Sequence, residues 1–160
     1  RSISVSELLL ASNYLLHLIT TAAFSTTTTI PSGAIVRVQG SGVESVNQDY
    51  EWTSATIIPP GFERVCVQNR WDVLGTWQKL NAKRPWLRAA SNDAYIYFNS
   101  ADGQWWIDKP DGLGVYVVAG ETTQQSLPPV TGWRALSPAY NPVPSLVEFI
   151  IDNCNNGEPK

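Results

Sequence analysis

The chain has no methionine, one histidine (His17) and two cysteines (Cys66 and Cys154) in 160 residues. Charged side chains make up 16% of it, against about a quarter in an average soluble domain. Each scarcity excludes something. Two Cys and one His are too few to close a structural zinc site. Eleven Lys and Arg stand against fourteen Asp and Glu, a net charge of −3. No basic excess is left to neutralise phosphates, which excludes a dedicated nucleic-acid binder. The thin cysteine content excludes a disulfide scaffold. Cys66 and Cys154 remain a candidate pair. Bridged, they would close a loop of about 90 residues, worth roughly 4 kcal/mol in the chain-entropy model. Otherwise they are two thiols, Cys66 in the apolar run Val65-Cys66-Val67 and Cys154 in a polar tail. A chain opening on Arg1 without Met reads as one with a processed N-terminus, or as a fragment.

What is present is aromatic. Seven Trp, six Tyr and four Phe, within a 43% hydrophobic composition, can supply a core and exclude a disordered chain. The length fits one domain with a short appendage. That appendage is residues 1–25. Within it, residues 5–24 run without Pro or Gly, behind the capping-box pattern Ser4-x-x-Glu7, and predict a helix. Leu8, Ala11, Leu15, Leu18 and Ile19 share its apolar face, while Ser6, Asn13, His17, Thr20 and Thr21 gather opposite. Three readings stay open: a helix docked on protein, a membrane helix with a polar stripe, and an uncleaved signal peptide ending near Ala22-Ala23. Glu7, Asn13 and His17 disfavour free exposure to lipid. Thr26–Thr29 then break the helical pattern, since β-branched side chains suit extended backbone. Residues 26–33 read as a linker.

From Ala34 the pattern becomes that of a β protein. Short apolar alternations are punctuated by Gly, Pro and Asn at intervals of roughly ten residues. Strands are expected at Ile35–Val38, Glu63–Gln68, Trp77–Leu80, Trp86–Arg88, Asp93–Asn99, Gln104–Asp108 and Gly114–Ala119. Asp102-Gly103 and Pro110-Asp111-Gly112 are turns. Pro128, Pro129, Pro138, Pro142 and Pro144 make an irregular wrap, because proline cannot donate to a sheet ladder. Val143–Ile151 is a last apolar strand. The expected fold is mainly β: a compact antiparallel sheet, barrel or sandwich, over residues 34–152, with one N-terminal apolar helix before it and a polar tail, 153–160, after it.

Residues 34–136 resemble a small aromatic-rich β module that recurs in algal, especially dinoflagellate, proteins. The residues that carry the likeness are Val38-Gln39-Gly40-Ser41-Gly42 with Val46-Asn47-Gln48-Asp49-Tyr50, then Pro85-Trp86, Tyr95-Ile96-Tyr97-Phe98-Asn99 and Gly103-Gln104-Trp105-Trp106-Ile107-Asp108. Pro110-Asp111-Gly112-Leu113-Gly114-Val115-Tyr116, Pro128-Pro129 and Gly132-Trp133 complete it, in the same order. Ser41 replaces the module's usual Ala, and Gln48 its usual Gly, which puts a tight turn at Asn47 in question. The resemblance implies a compact antiparallel fold built on aromatic anchors. It implies no catalytic residues.

The chemistry-bearing side chains are sparse. Asp49, Glu51, Asp93, Asp102, Asp108 and Asp111 could in principle supply the two carboxylates of a glycosidase. Asp102, Asp108 and Asp111, however, sit beside turn residues, where Asp usually caps its own backbone. A Ser/His/Asp triad would need His17 on the appended helix. Gly40-Ser41-Gly42 is a lone G-x-G with no helix expected after it. Asp102 to Asp111 offers oxygen ligands for calcium, at a spacing unlike that of an EF-hand loop. Trp52, Trp71, Trp77, Trp86, Trp105, Trp106 and Trp133 can stack on sugar or fill a core. In Trp105-Trp106, neighbours on a strand face opposite ways, so one is core and the other more exposed.

These observations favour a non-catalytic structural subunit that docks its N-terminal helix into a larger assembly of other protein subunits, at or in a membrane. The algal likeness suggests a plastid thylakoid complex, a photosystem or its antenna, by analogy of context. The expected contact residues are Leu8, Leu15, His17 and Ile19 on the helix and Trp106 and Tyr116 on the body. No metal or cofactor is expected, except that His17 or Asn13 would offer a ligand to chlorophyll magnesium if the helix lies in an antenna. The alternative is a secreted or lumenal carbohydrate-binding module with an aromatic platform.

Overall fold

A computed structural model describes residues 33–120 and 127–150. Eight strands form one antiparallel sheet: β1 (Ala34–Gln39), β2 (Asp49–Thr53), β3 (Trp86–Ala89), β4 (Tyr95–Asn99), β5 (Gln104–Asp108), β6 (Gly114–Ala119), β7 (Arg134–Ala135) and β8 (Ser145–Ile150). Their order is β7-β6-β5-β4-β3-β2-β1-β8. The first seven are a meander, and β8 returns to lie beside β1 along its whole length. The sheet curls into a half-barrel. The mainly β, antiparallel expectation holds, and its architecture is one curled sheet. The expected N-terminal helix lies outside the described residues.

Strand periodicity explains the layers. In β1 the inward residues Val36 and Val38 are buried while Arg37 and Gln39 are exposed, the alternation of a sheet with one wet face. In β4 all of Tyr95, Ile96, Tyr97 and Phe98 are buried, so both faces are covered there. The concave face holds Val36, Tyr50, Leu87, Ile96, Trp105, Ile107 and Tyr116. The convex face, over β3 to β5, is covered by two helices, α1 (Pro60–Asn69) and α2 (Val73–Asn81), which arise in the long connection between β2 and β3.

Those helices correct two of the expected strands. Glu63–Gln68 lies in α1 and Trp77–Leu80 in α2. The alternation of Val65 and Val67 has no structural meaning, since Val67 is 63% exposed. What decides the conformation is the spacing of the residues that reach the sheet: Phe62 and Cys66 on α1, Val73, Trp77 and Leu80 on α2. Steps of three and four residues put them on one helical face. Pro60 stands at the first turn of α1, where its missing N–H costs nothing. Arg70 ends the helix in the left-handed conformation, φ 59°, and the Trp71 N–H reaches the Cys66 carbonyl at 2.9 Å.

Two further features position the molecule. The loop after β1 is braced by Asn47, whose amide oxygen accepts from the Ser41 N–H and whose amide nitrogen donates to the Ser41 carbonyl, both at 2.9 Å. The Tyr50 hydroxyl donates to the Val46 carbonyl at 3.0 Å. Gln48 is not left-handed, so the position does not need the glycine that the resemblance leads one to expect. The Pro-rich wrap, 136–144, straps one sheet edge to the other. Tyr116 on β6 donates to the Tyr140 and Pro142 carbonyls, and the Gly42 N–H donates to Pro142 O at 2.8 Å.

Candidate functional site: an exposed ridge on the helical hairpin

The α1–α2 hairpin is anchored from below by rings. Phe62 meets Trp77 at 5.0 Å between centroids, Trp77 meets Trp86 at 6.1 Å and Tyr97 at 5.5 Å, and Trp86 meets Tyr95 at 6.1 Å. The indole N–H groups are also placed: Trp77 donates to Ala55 O at 3.1 Å and Trp86 to Ile57 O at 2.8 Å. The start of α1 is seated on the β5–β6 turn. A Cβ on Gly61 would lie 2.7 Å from Pro110 O, so only glycine allows this approach. Arg64 donates to the same carbonyl.

Held in this way, the hairpin turns a different set outward. Val67 is 63%, Trp71 54% and Leu74 53% exposed. They follow one another at steps of four and three residues along the chain, across the α1–α2 junction. Trp71 alone among the seven Trp is more than half exposed. Residues 60–84 also carry five cations, Arg64, Arg70, Lys79, Lys83 and Arg84, against Glu63 and Asp72. The hairpin is therefore the basic part of an acidic chain. Arg84 lies 4.0 Å above the Phe98 ring. Among the described residues, Arg70, Lys79 and Lys83 form no ion pair.

Beneath the hairpin lies a buried carboxyl. Asp108 ends β5 on the convex face, 4% exposed, and its Oδ1 accepts no hydrogen bond. Burial pushes its pKa up to about 7; the nearby Tyr95 hydroxyl pulls it down and Asp111 pushes it further up. That hydroxyl is also buried without a formed hydrogen bond, and burial followed by the charge of Asp108 raises it. Burial, then Asp72, raises the Cys66 thiol.

Four of the other expected acids have structural partners. Asp49 pairs with Arg37 at 2.6 Å, and that hydrogen bond holds its carboxyl below the usual range. Asp93 pairs with Arg88 at 3.1 Å. Asp102 accepts from the Gln104 N–H and from the Trp106 indole at 2.9 Å. Asp111 caps the Leu113 N–H and meets Lys109 at 3.1 Å. Glu51 is exposed on β2 and lines a shallow groove with Thr53, Ser54, Ile57 and Arg88. No group of three metal-ligating side chains occurs among the described residues, and no helix among them is long and apolar enough to cross a membrane.

The expected contact residues are scattered. Trp105 is buried and Trp106 half-buried, as strand alternation requires, with Trp106 packed beside the rings under the hairpin. Tyr116 is fully buried and holds the strap, so it presents no surface to a partner. Cys66 is buried under α1, and Cys154 lies outside the described residues, as do Leu8, Asn13, Leu15, His17 and Ile19. The outward set Val67, Trp71 and Leu74 is not singled out by sequence reasoning. Its signal is the inward stripe of Phe62, Cys66, Val73 and Trp77, which leaves Val67 and Leu74 off the inward face and Trp71 at the junction between the helices. No family model matches the chain, and neither a curated protein nor a solved structure does.

Proposed function

We propose that this chain is a non-catalytic attachment subunit, a rigid β body that presents its α1–α2 hairpin to a larger assembly. The observation that carries the reading is the exposed Val67, Trp71 and Leu74 on a hairpin whose other side is fixed by buried rings. A half-exposed Trp between aliphatic neighbours is the composition of an interaction hot spot, and a rigid support keeps the ordering cost of docking low. Of the acids that could do chemistry, Asp49, Asp93, Asp102 and Asp111 are engaged in turn caps and surface ion pairs, Asp108 is buried, and Glu51 stands exposed on β2. The helix expected from the sequence, with Leu8, Leu15, His17 and Ile19, would be a second attachment. Placement in a plastid membrane assembly rests on the resemblance alone. The sugar-platform alternative needs neighbouring exposed rings, whereas Trp77, Trp86, Trp105 and Trp133 are buried.

The test is the size of the native complex. In extract from the source organism, the wild-type chain is expected to elute well above its monomer mass, and Trp71→Ala with Leu74→Ala to shift it to the monomer. A wild-type chain that elutes as a monomer under all native conditions would overturn the proposal.

A further inference from the structure

The ridge has a chemistry that narrows what it meets, and this inference rests on the attachment reading. We infer that the α1–α2 hairpin docks on an anionic lipid surface, with Trp71, Val67 and Leu74 entering the headgroup boundary and Arg70, Lys79 and Lys83 facing the lipid phosphates. Three observations carry it. The apolar side chains are exposed on a two-helix unit, beside a helix junction. Arg70, beside Trp71, and Lys79 and Lys83, further along the same segment, are exposed and form no ion pair among the described residues, so their charge is available. Finally, residues 60–84 carry a net +3 on a chain of net −3; the positive charge is thus concentrated in the segment that bears the Trp. Apolar side chains next to unpaired cations are what an interfacial element needs, because lipid tails receive the first and anionic headgroups the second. Tryptophan favours that boundary, having an apolar body and one N–H for the wet side.

The experiment is co-sedimentation of the full chain with phosphatidylcholine vesicles, with and without phosphatidylserine. Binding is expected only where phosphatidylserine is present, and added salt should weaken it. Trp71→Ala with Leu74→Ala, and separately Arg70→Glu with Lys79→Glu, are each expected to weaken it at least about tenfold. Val130→Ala removes a side chain of equal exposure elsewhere and should leave it unchanged. Every substituted residue is exposed, so circular dichroism should match the wild type. Absence of binding to the phosphatidylserine vesicles, or binding indifferent to both double variants, would overturn the lipid assignment. If in that case Trp71→Ala with Leu74→Ala still breaks up the native complex, the ridge meets protein, and the attachment reading stands without the lipid.

Discussion

Asp108 shows how one residue can set a pH dependence. The groups facing it are the phenols of Tyr95 and Tyr97 on β4 and the carboxylate of Asp111; the neighbouring Lys109 is engaged with Asp111. No cation faces it and burial outweighs the pull of the Tyr95 hydroxyl, so the fold favours the neutral acid. Its pKa is about 7 in the folded chain and about 4 when unfolded. Between these values the native state holds more protons than the unfolded state, and the contribution of this group to stability falls as pH rises. The loss is complete above the folded value. Asp108→Asn keeps the shape and removes the ionisation. It should raise the melting temperature relative to wild type at pH 8, with the gap closing at pH 5. A gap independent of pH would show that Asp108 does not titrate in this range. The sequence places Asp108 beside a turn, and nothing local says that it faces inward. Its burial comes from the β5 register, which sets it on the same face as Trp106, and from a helix start more than forty residues earlier.

At the scale of elements, the hairpin divides into an anchoring side and a presenting side, with opposite consequences for substitution. Trp77 is 1% exposed and touches three rings. Trp77→Ala should cost about 3–5 kcal/mol, by lost transfer energy and the cavity left behind. Trp71→Ala, at 54% exposure, should stay within about 0.5 kcal/mol of wild type. Urea denaturation of the two variants measures both, and equal losses would refute the division. The same contrast explains what could be read from residues alone. Strands β4, β5 and β6 are legible because a run such as Tyr95-Ile96-Tyr97-Phe98, with Gly103 and Gly112 as turn residues nearby, has one consistent local solution. The hairpin is less so: Val65 and Val67 mimic strand alternation across a helix whose real stripe, Phe62 and Cys66, is short and includes a cysteine. Local pattern and tertiary contact disagree there, and the contact with Trp86 and Tyr97 decides. An outward Trp71 is equally hidden, because a tryptophan in so aromatic a chain is expected to be core.

The whole molecule poses the problem of an open sheet. Its edges, β7 and β8, lie at opposite ends of the strand order, yet only nine residues, 136–144, join them. Such a short connection can span them only because the sheet curls and brings its two ends towards each other. The closure is held by a few polar contacts: Gly42 N–H to Pro142 O, Tyr116 to the strap carbonyls, and Leu146 N–H to Val130 O at 2.9 Å. Gly42 is the tightest point, for a Cβ there would collide with the Asn141 carbonyl, and backbone cannot yield as a side-chain tip can. Gly42→Ala should therefore cost about 1–3 kcal/mol, as overpacking does. Its effect should also travel. Pushing the strap off the β1–β2 loop loosens what it ties together, so hydrogen exchange should quicken at Leu146 on β8 and at Leu136, whose N–H reaches Val115 O. Gly103→Ala is the contrast. Gly103 has φ 70° but open space around its Cα, so its strain should stay within the β4–β5 hairpin. If Gly42→Ala disturbs only amides of the loop that follows β1, the strap does not couple the two edges, and the curl is maintained by the concave core alone.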